Sequence, residues 1–201
     1  MSANLMSLAR SGGKFLKLFG DRKMVRTLPY DAEVEYLEGG DGQYAKIIGY
    51  TPGFSNLIYA HWFGKGQAVP FGCTNFTAVA DYGRFFASSG LSWHMPGEHN
   101  IFFDGVNQLV NNEKDPPNIY TAVASGDLWI FARSDTELTG DGVFYSWKEI
   151  TPDGVKVIDL IPVRFINERG ETEGAFYDKV SGQLFGNAGT GAFVIGPDKT
   201  I

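Results

Sequence analysis

The sequence predicts an all-β fold, an antiparallel jelly-roll sandwich that follows a short basic N-terminal arm. Gly, Asp and Asn recur between short runs of β-branched and aromatic residues, and no run shows the period of an amphipathic helix. The 26 Gly and 16 Phe among 201 residues suit short strands joined by tight turns around an aromatic core. We therefore divide the chain into an arm, residues 1–28, and one sandwich domain, residues 29–201.

Short strands separated by turn residues are predicted along most of the sandwich. They cover residues 33–37, 43–48, 56–63, 75–80, 83–87, 100–103, 127–133, 143–150 and 155–163. Residues 111–118 are predicted to form a loop, because Pro116 and Pro117 cannot continue a ladder of backbone hydrogen bonds. About a dozen such strands with almost no helix indicate a sandwich or a jelly roll.

The last third of the chain carries the clearest turn signals. Thr151-Pro152-Asp153-Gly154 joins two β-rich runs and predicts a hairpin. Further on, the sequence predicts a strand at 175–177, a turn at Ser181 and Gly182, another strand, and a tight loop of small residues at 187–191. None of these closing residues suggests catalysis, so the segment bears on the fold rather than on chemistry.

Charge is divided unevenly along the chain. Residues 1–28 hold six basic residues against Asp21, a net charge of 6 − 1 = +5. The remainder holds 11 basic and 22 acidic residues, a net charge of −11, and the two parts sum to the −6 of the whole chain. This asymmetry predicts that the arm and the sandwich face different partners.

The arm combines its cations with an apolar cluster and could form one or two turns of helix. A helix this short is not stable alone in water. We expect it to dock in a protein groove with an acidic rim. The predicted docking residues are Arg10, Lys14, Phe15, Leu16, Lys17, Leu18, Phe19, Arg22, Lys23 and Arg26. The alternatives are folding back on its own sandwich, nucleic acid and a membrane surface. Nucleic acid does not require the apolar anchors, so a protein partner is favoured.

The N-terminus does not read as a secretory signal. Its longest uninterrupted apolar stretch is two residues, whereas a signal peptide needs roughly 7–15. No stretch approaches the roughly 20 apolar residues of a membrane span. We therefore expect the chain to work inside the cell or to leave it inside an assembly.

Several motifs in the sandwich resemble a module of phage and bacterial proteins. The motifs are Val34-Glu35-Tyr36-Leu37-Glu38, Gly42-Gln43-Tyr44, Leu128-Trp129-Ile130-Phe131-Ala132-Arg133, Tyr145-Ser146-Trp147-Lys148, Asp159-Leu160-Ile161-Pro162-Val163-Arg164, Tyr177-Asp178-Lys179-Val180-Ser181-Gly182 and Asn187-Ala188-Gly189-Thr190-Gly191. Together they resemble the laminin-G-like, or concanavalin A-like, jelly roll found in virion proteins of phages from gut bacteria and in some bacterial surface proteins. The resemblance spans residues 32–197 and is loosest over 50–125. Where the family often reads Ile-Asp-Thr-Gly, this chain has Ala45-Lys46-Ile47-Ile48-Gly49, so any role of that Asp does not transfer.

The resemblance implies a display module rather than one particular ligand, because this fold carries many functions. With the arm, it leads us to expect a non-enzymatic bacteriophage virion protein, anchored to the capsid or tail as a head decoration, head-fibre or adaptor subunit. We expect other virion proteins as partners through residues 1–28, several copies or a homo-oligomer on the particle, and assembly in the host cytoplasm. The alternatives are a tail receptor-binding or carbohydrate-binding module and a glycoside hydrolase.

Tryptophans near turns are the candidates for contact with a host surface glycan, because aromatic rings stack on sugars. Trp62 lies near a turn, and Trp93 lies in a loop beside His94, so these three residues are the predicted glycan contacts. Trp129 and Trp147 lie within predicted strands and are expected in the core.

Glu33, Glu35 and Glu38 are spaced much as in the Glu-x-Asp-x-x-Glu strand of some jelly-roll glycoside hydrolases, which need two carboxylates about 5–5.5 Å apart. On a regular strand, however, Glu33 and Glu35 share one face and Glu38 takes the other. We therefore expect solvated carboxylates and no catalytic residue.

Metal-binding patterns are weak in this sequence. The candidates are His61, His94 and His99 for zinc, and Asp104, Asp141 and Asp153 for calcium. Each of the three Asp precedes a Gly, and such pairs are better explained as turns in which Gly adopts a positive φ. We expect no cofactor and no metal ligand, with calcium as the open alternative.

Overall fold

The computed structural model describes residues 28–40, 42–50, 53, 56–65, 71–75, 96–103, 108–111, 113–114, 125–134 and 137–200. Within these residues the fold is all-β, with antiparallel strands and no helix, which confirms the predicted fold class at that level. The ten predicted docking residues of the arm lie outside the described part. So do Trp93, His94 and nearly all of the strands predicted at 75–80 and 83–87.

Sixteen strands are present among the described residues. They are β1 (Ala32–Glu33), β2 (Leu37–Gly39), β3 (Ala45–Ile47), β4 (Leu57–Gly64), β5 (Phe71–Asn75), β6 (Gly97–Phe103), β7 (Gln108–Val110), β8 (Glu113–Lys114), β9 (Ser125–Ile130), β10 (Ala132–Ser134), β11 (Glu137–Thr139), β12 (Gly142–Ile150), β13 (Lys156–Ile166), β14 (Thr172–Asp178), β15 (Leu184–Gly186) and β16 (Val194–Ile195). The three longest strands, β13, β12 and β4, are neighbours in the larger sheet.

The larger sheet contains eleven strands. Its main path runs β15-β14-β13-β12-β4-β6-β7-β8. Beside this path, β1 pairs with β13, and β2 lies between β12 and β16. Strand β12 pairs with β2 through its first residues and with β13 through its last, so the sheet forks at this strand.

A three-stranded sheet, β3-β9-β5, shares one hydrophobic core with the larger sheet, as in a β-sandwich. Ile47, Phe71 and Ile130 of the smaller sheet are fully buried with Trp62 and Trp147 of the larger one. The core is therefore the space between the two sheets. Strands β10 and β11 form a separate two-stranded sheet, and β10 follows β9 of the smaller sheet along the chain.

Phe131 lies at the centre of this core in an unusual backbone conformation. Its ring centroid lies between 5.5 and 6.2 Å from those of Trp62, Phe144, Phe176 and Phe193. Its φ is 65°, in a region that bulky residues rarely adopt, so the surrounding rings must hold it there. The strand predicted at 127–133 is wrong in this respect, because the bend at Phe131 divides it into β9 and β10.

A second cluster covers the opposite face of β13 and β14 and fixes the start of the domain. Its buried members are Ile161, Val163 and Ala175, and Tyr30 packs beside them with its ring 4.9 Å from that of Tyr177. The next residue, Asp31, donates its N–H to the carbonyl of Arg164 at 2.9 Å and accepts the N–H of Ile166 at 2.8 Å. The chain therefore enters the sandwich alongside β13.

The hairpin predicted at 151–154 is confirmed. Strands β12 and β13 pair in antiparallel register, with Glu149 opposite Ile158. Thr151 donates its N–H to the carbonyl of Val155 at 2.8 Å, and Gly154 donates to the carbonyl of Thr151 at 2.9 Å. Gly154 has a φ of 90°, which explains why a glycine ends this turn.

Two further sequence predictions are wrong. The strand predicted at 33–37 is divided into β1 and β2, because the chain leaves β13 after Glu33 and joins β12 at Leu37. The loop predicted at 111–118 contains a short strand in its described part, since Glu113–Lys114 pairs with β7. Local residue patterns do not reveal which strands become neighbours, and the neighbours decide both outcomes.

The loop predicted at 187–191 is hydrogen-bonded to the segment around Tyr44, which lies 143 positions before Asn187 in the chain. Asn187 accepts the N–H of Tyr44 at 3.0 Å and donates its side-chain amide to the carbonyls of Thr190 and Gly191 at 3.0 and 2.9 Å. Thr190 in turn donates its N–H to the carbonyl of Gly42 at 3.0 Å. Two motifs that lie far apart in sequence thus form one joint at the edge of the sandwich.

Candidate functional site

The side of the larger sheet that faces away from the core carries a group of aromatic and acidic side chains. Along β4, the buried residues Ile58, Ala60 and Trp62 alternate with Tyr59 and Phe63, which are 42% and 36% exposed. Register with β6 and β12 places further residues on the same side. We call this surface the outer aromatic face; it consists of Glu35, Tyr36, Glu38, Tyr59, His61, Phe63, Glu98, Phe102 and Tyr145.

A β-bulge brings Tyr145 onto this face. The register between β12 and β4 shifts between Phe144 and Ser146, so Tyr145 and Ser146 together oppose His61. The Tyr145 ring then stacks on the imidazole of His61, with centroids 4.1 Å apart and planes 19° apart. The ring of Tyr36 meets Tyr145 edge-on at 5.9 Å. The rings of Tyr36, Tyr145 and His61 therefore form a row that crosses β12 and β4 and ends just before β2.

Carboxylates flank this row of rings. Glu98 lies 2.8 Å from His61, measured between Oε1 and Nε2, and its side chain is 60% exposed. Glu38 pairs with Lys65 at the other end of the face. Glu35 is exposed at the bend between β1 and β2. Its backbone N–H donates to the carbonyl of Pro197 at 2.9 Å, and its carboxylate forms no ion pair with a residue of the described part.

The carboxylates influence the hydroxyl of Tyr145. Its pKa is raised above its usual value, first by partial burial and then by the nearby Glu98, Tyr36 and Glu35. Each of these causes disfavours a phenolate, so the hydroxyl stays protonated and can donate a hydrogen bond at neutral pH.

Trp62 was predicted as a glycan contact, and the structure places it in the core. Its side chain is 0% exposed and packs against Phe131 and Phe144, with ring centroids 5.8 and 6.1 Å away. No face of the indole is open to a sugar. Because Trp62 is excluded, the glycan prediction now depends on Trp93 and His94, which lie outside the described residues. Trp147 is buried, as predicted.

Trp129 is buried as predicted, but it does not belong to the main core. It lies between Leu128 and Ile130, which face the larger sheet, and therefore points to the other side of β9. Its ring lies 5.1 Å from that of Tyr44, and the Lys46 ammonium lies 4.8 Å from its centroid. This indole packs under residues of the neighbouring strand.

The three carboxylates weighed for glycoside hydrolysis are not brought together as a set. Glu33 on β1 pairs with Lys179 at 3.1 Å and accepts a hydrogen bond from Tyr30, whose pKa is raised to about 12 by burial and by this carboxylate. Glu38 on β2 pairs instead with Lys65. The break between β1 and β2 separates Glu33 from Glu38. Each of these two carboxylates forms an ion pair with a different lysine.

Among the described residues, no group of three or more His, Cys, Asp or Glu is placed to hold a metal ion. His61 lies on the outer aromatic face, whereas the buried His99 shares the register position of Trp62 on the core side. Asp153 accepts a hydrogen bond from Thr151 within the hairpin turn, as expected of a turn residue. In the same part of the chain, no helix is long and apolar enough to span a membrane.

A buried carboxylate at Glu149 escaped the sequence analysis. Its side chain is 0% exposed and accepts hydrogen bonds from the Tyr50 hydroxyl, the Asn56 amide and the N–H of Gly53, the last at 2.9 Å. Trp147 donates its indole N–H to the same Tyr50 hydroxyl at 3.1 Å. The alternation of β12 was a usable signal, because Glu149 follows Trp147 by two residues and must share its buried side. The network ties Tyr50, Gly53 and Asn56 to the larger sheet.

The chain has no match among protein-family models, curated proteins or solved structures. The resemblance to the laminin-G-like module, and the function that it implies, therefore stay predictions from the sequence motifs.

Proposed function

We propose that the chain is a non-enzymatic structural protein of a bacteriophage particle. In this proposal the basic arm attaches the protein to the capsid or tail, and a sandwich of the laminin-G-like jelly-roll type is displayed outward. The protein serves as a head decoration, head-fibre or adaptor subunit, present in several copies.

The observation that carries the proposal is the division of the chain into two parts of opposite charge. The arm, with its net charge of +5, precedes a sandwich with a net charge of −11. An apolar cluster within a cationic segment suits attachment to a protein groove with an acidic rim.

The way the chain enters the sandwich supports this division. Leu28 is exposed, whereas Tyr30 and Asp31 are already bound to β13 and β14. The contacts of the domain therefore begin within three residues of the arm's end. Every strand of the described part begins after Asp31, so these strands are made of residues outside the arm.

Particle incorporation tests the proposal directly. Phage particles are produced with the full chain, with residues 1–27 deleted, or with Phe15→Ser and Phe19→Ser in the full chain, and the purified particles are probed for the protein. We expect the deletion and the double substitution to leave folded protein in the unassembled fraction. Circular dichroism of that fraction is the control for folding. Incorporation of the deleted form at the level of the full chain contradicts the proposal.

A further inference from the structure

The outer aromatic face combines open rings with an excess of negative charge. Its carboxylates Glu35, Glu38 and Glu98 have two cations beside them, Lys65 and, opposite Tyr59, Lys148, which gives 2 − 3 = −1 with His counted as neutral. Tyr59 and Phe63 leave apolar ring surface exposed beside these charges. Rings together with carboxylates favour a ligand that carries both positive charge and apolar groups.

The row of rings sets the size of such a ligand. Tyr145, His61 and Glu98 lie on the neighbouring strands β12, β4 and β6, and Tyr36 directly precedes β2, which pairs with β12 on its other side. Three strand spacings correspond to roughly 15 Å across the face. An extended segment of about five residues covers that distance. A peptide with cations flanking a few apolar side chains fits these dimensions.

We infer that the occupant of the outer aromatic face, in the free protein, is the basic N-terminal segment of the same chain. Residues 14–19 read Lys-Phe-Leu-Lys-Leu-Phe, which supplies cations and apolar groups within six positions. The lysines would meet Glu35 and Glu98, and the phenylalanines would pack on the exposed rings. The inference concerns the free protein and holds whether or not the segment later attaches to a particle.

The connection along the chain favours docking within one copy. The described chain begins at Leu28 and reaches Glu35 and Tyr36 of the face within eight residues. Residues 20–27 leave ample length, about 3.3–3.6 Å for each extended residue, for the segment to turn back. Joining a ligand segment to its site through a short stretch of the same chain gives an effective concentration in the millimolar range. Even a weak contact between this segment and the face is therefore occupied at low protein concentration.

Zero-length carbodiimide crosslinking of the full chain tests the inference, because it joins a lysine amine to a carboxylate only when the two are in contact. Equal amounts of ¹⁴N- and ¹⁵N-labelled protein are mixed at low micromolar concentration before crosslinking. We expect amide links from Lys14 or Lys17 to Glu35 or Glu98, with both peptides carrying the same isotope. Absence of these links, or mixed ¹⁴N–¹⁵N links as frequent as same-isotope links, which is the pattern of random contact between copies, overturns the inference.

Limited trypsin digestion gives a second measurement that does not depend on the crosslinked carboxylates. We expect Glu35→Gln with Glu98→Gln, in the full chain, to speed cleavage after Lys14 and Lys17 by about two- to fivefold, the loss typical of exposed ion pairs. Glu168→Gln is the matched control, because Glu168 lies two residues from Ile166, which binds Asp31 near the base of the segment. Equal cleavage rates in all variants overturn the inference. So does binding of a neutral glycan that is lost with Tyr59→Ala and unaffected by deleting residues 1–27.

Discussion

The inner and outer faces of the larger sheet both carry aromatic rings, but only the inner rings are enclosed. Trp62 and Phe144 on the inner face are fully buried and pack against Phe131. On the outer face, Tyr59 and Phe63 keep about two fifths of their surface in water. Neighbouring residues of one strand thus serve stability on one side of the sheet and remain available for binding on the other.

The largest expected effect comes from emptying the inner face. Trp62→Ala removes a fully buried indole and is expected to lower the free energy of unfolding by about 3–5 kcal/mol. Phe63→Ala, one position further along β4 but on the outer face, is expected to cost about 1 kcal/mol or less. Urea denaturation of both variants measures the difference. Equal losses of unfolding free energy in the two variants would show that side chains on the two faces are equally well packed.

A second substitution asks whether close packing extends beyond the sheets to the joint formed by the 187–191 loop. A Cβ at Gly189 would overlap the carbonyl oxygen of Gly42, so Gly189→Ala must displace the loop. We expect a loss of about 2–3 kcal/mol in the free energy of unfolding. Gly186→Ala is the control, because a Cβ there meets nothing within 4 Å. A Gly189→Ala protein as stable as this control would mean that the joint is loosely packed.

Hydroxyl groups give a finer comparison of the two faces. Tyr50→Phe removes the hydroxyl that donates to the buried Glu149 and accepts from Trp147. Leaving these groups without that partner is expected to cost about 1–3 kcal/mol. Tyr59→Phe removes a hydroxyl from the outer face and is expected to change the unfolding midpoint very little. Thermal unfolding of both variants measures the difference. The same midpoint for both would show that the hydrogen bonds around Glu149 do not stabilise the fold.

The smallest expected effect is a dependence of stability on acid at Asp178. Burial acts to raise the pKa of this carboxyl, but hydrogen bonds from Ser181 and from the N–H groups of Asp159 and Val180 outweigh it and lower the pKa. A folded-state pKa below the unfolded one means that Asp178 contributes stability above pH ~3.9 and loses it as the pH falls through the folded value. Urea midpoints measured between neutral pH and acid should therefore fall, and should fall less in Asp178→Asn.

Salt separates this contribution from that of a second carboxyl. The pKa of Asp198 is also lowered, first by its hydrogen bond with Arg164, but both side chains lie at the surface. Salt screens an exposed ion pair more than hydrogen bonds to backbone N–H groups. The acid sensitivity removed by Asp198→Asn should thus fade in 1 M salt, and that removed by Asp178→Asn should persist. The reverse pattern would contradict the assignment to Asp178.

Local sequence patterns predicted those parts of the fold that depend on neighbouring residues. The hairpin at 151–154 and the buried position of Trp147 follow from turn residues and strand alternation. Trp62 was placed wrongly because both sides of β4 are apolar, which leaves the phase of the strand undecided. The alternation in β12 would have indicated that Glu149 is buried.

Long-range pairing explains most of what the sequence did not reveal. The bulge at Tyr145 exists only in relation to the register of β4, and the joint between Asn187 and Tyr44 links residues 143 positions apart. The bend at Phe131 depends on the four rings around it. Each of these features requires knowledge of the partner strand or side chain, which a single sequence does not contain.

Labelled electron microscopy of phage particles tests the central claim most directly. The full chain carries a gold-binding tag after Ile201 and is expressed during infection, and the purified particles are imaged. Our account predicts gold at regular positions on the outside of the capsid or tail, and its loss when residues 1–27 are deleted. Unlabelled particles, with all of the tagged protein remaining free in the lysate, would contradict it.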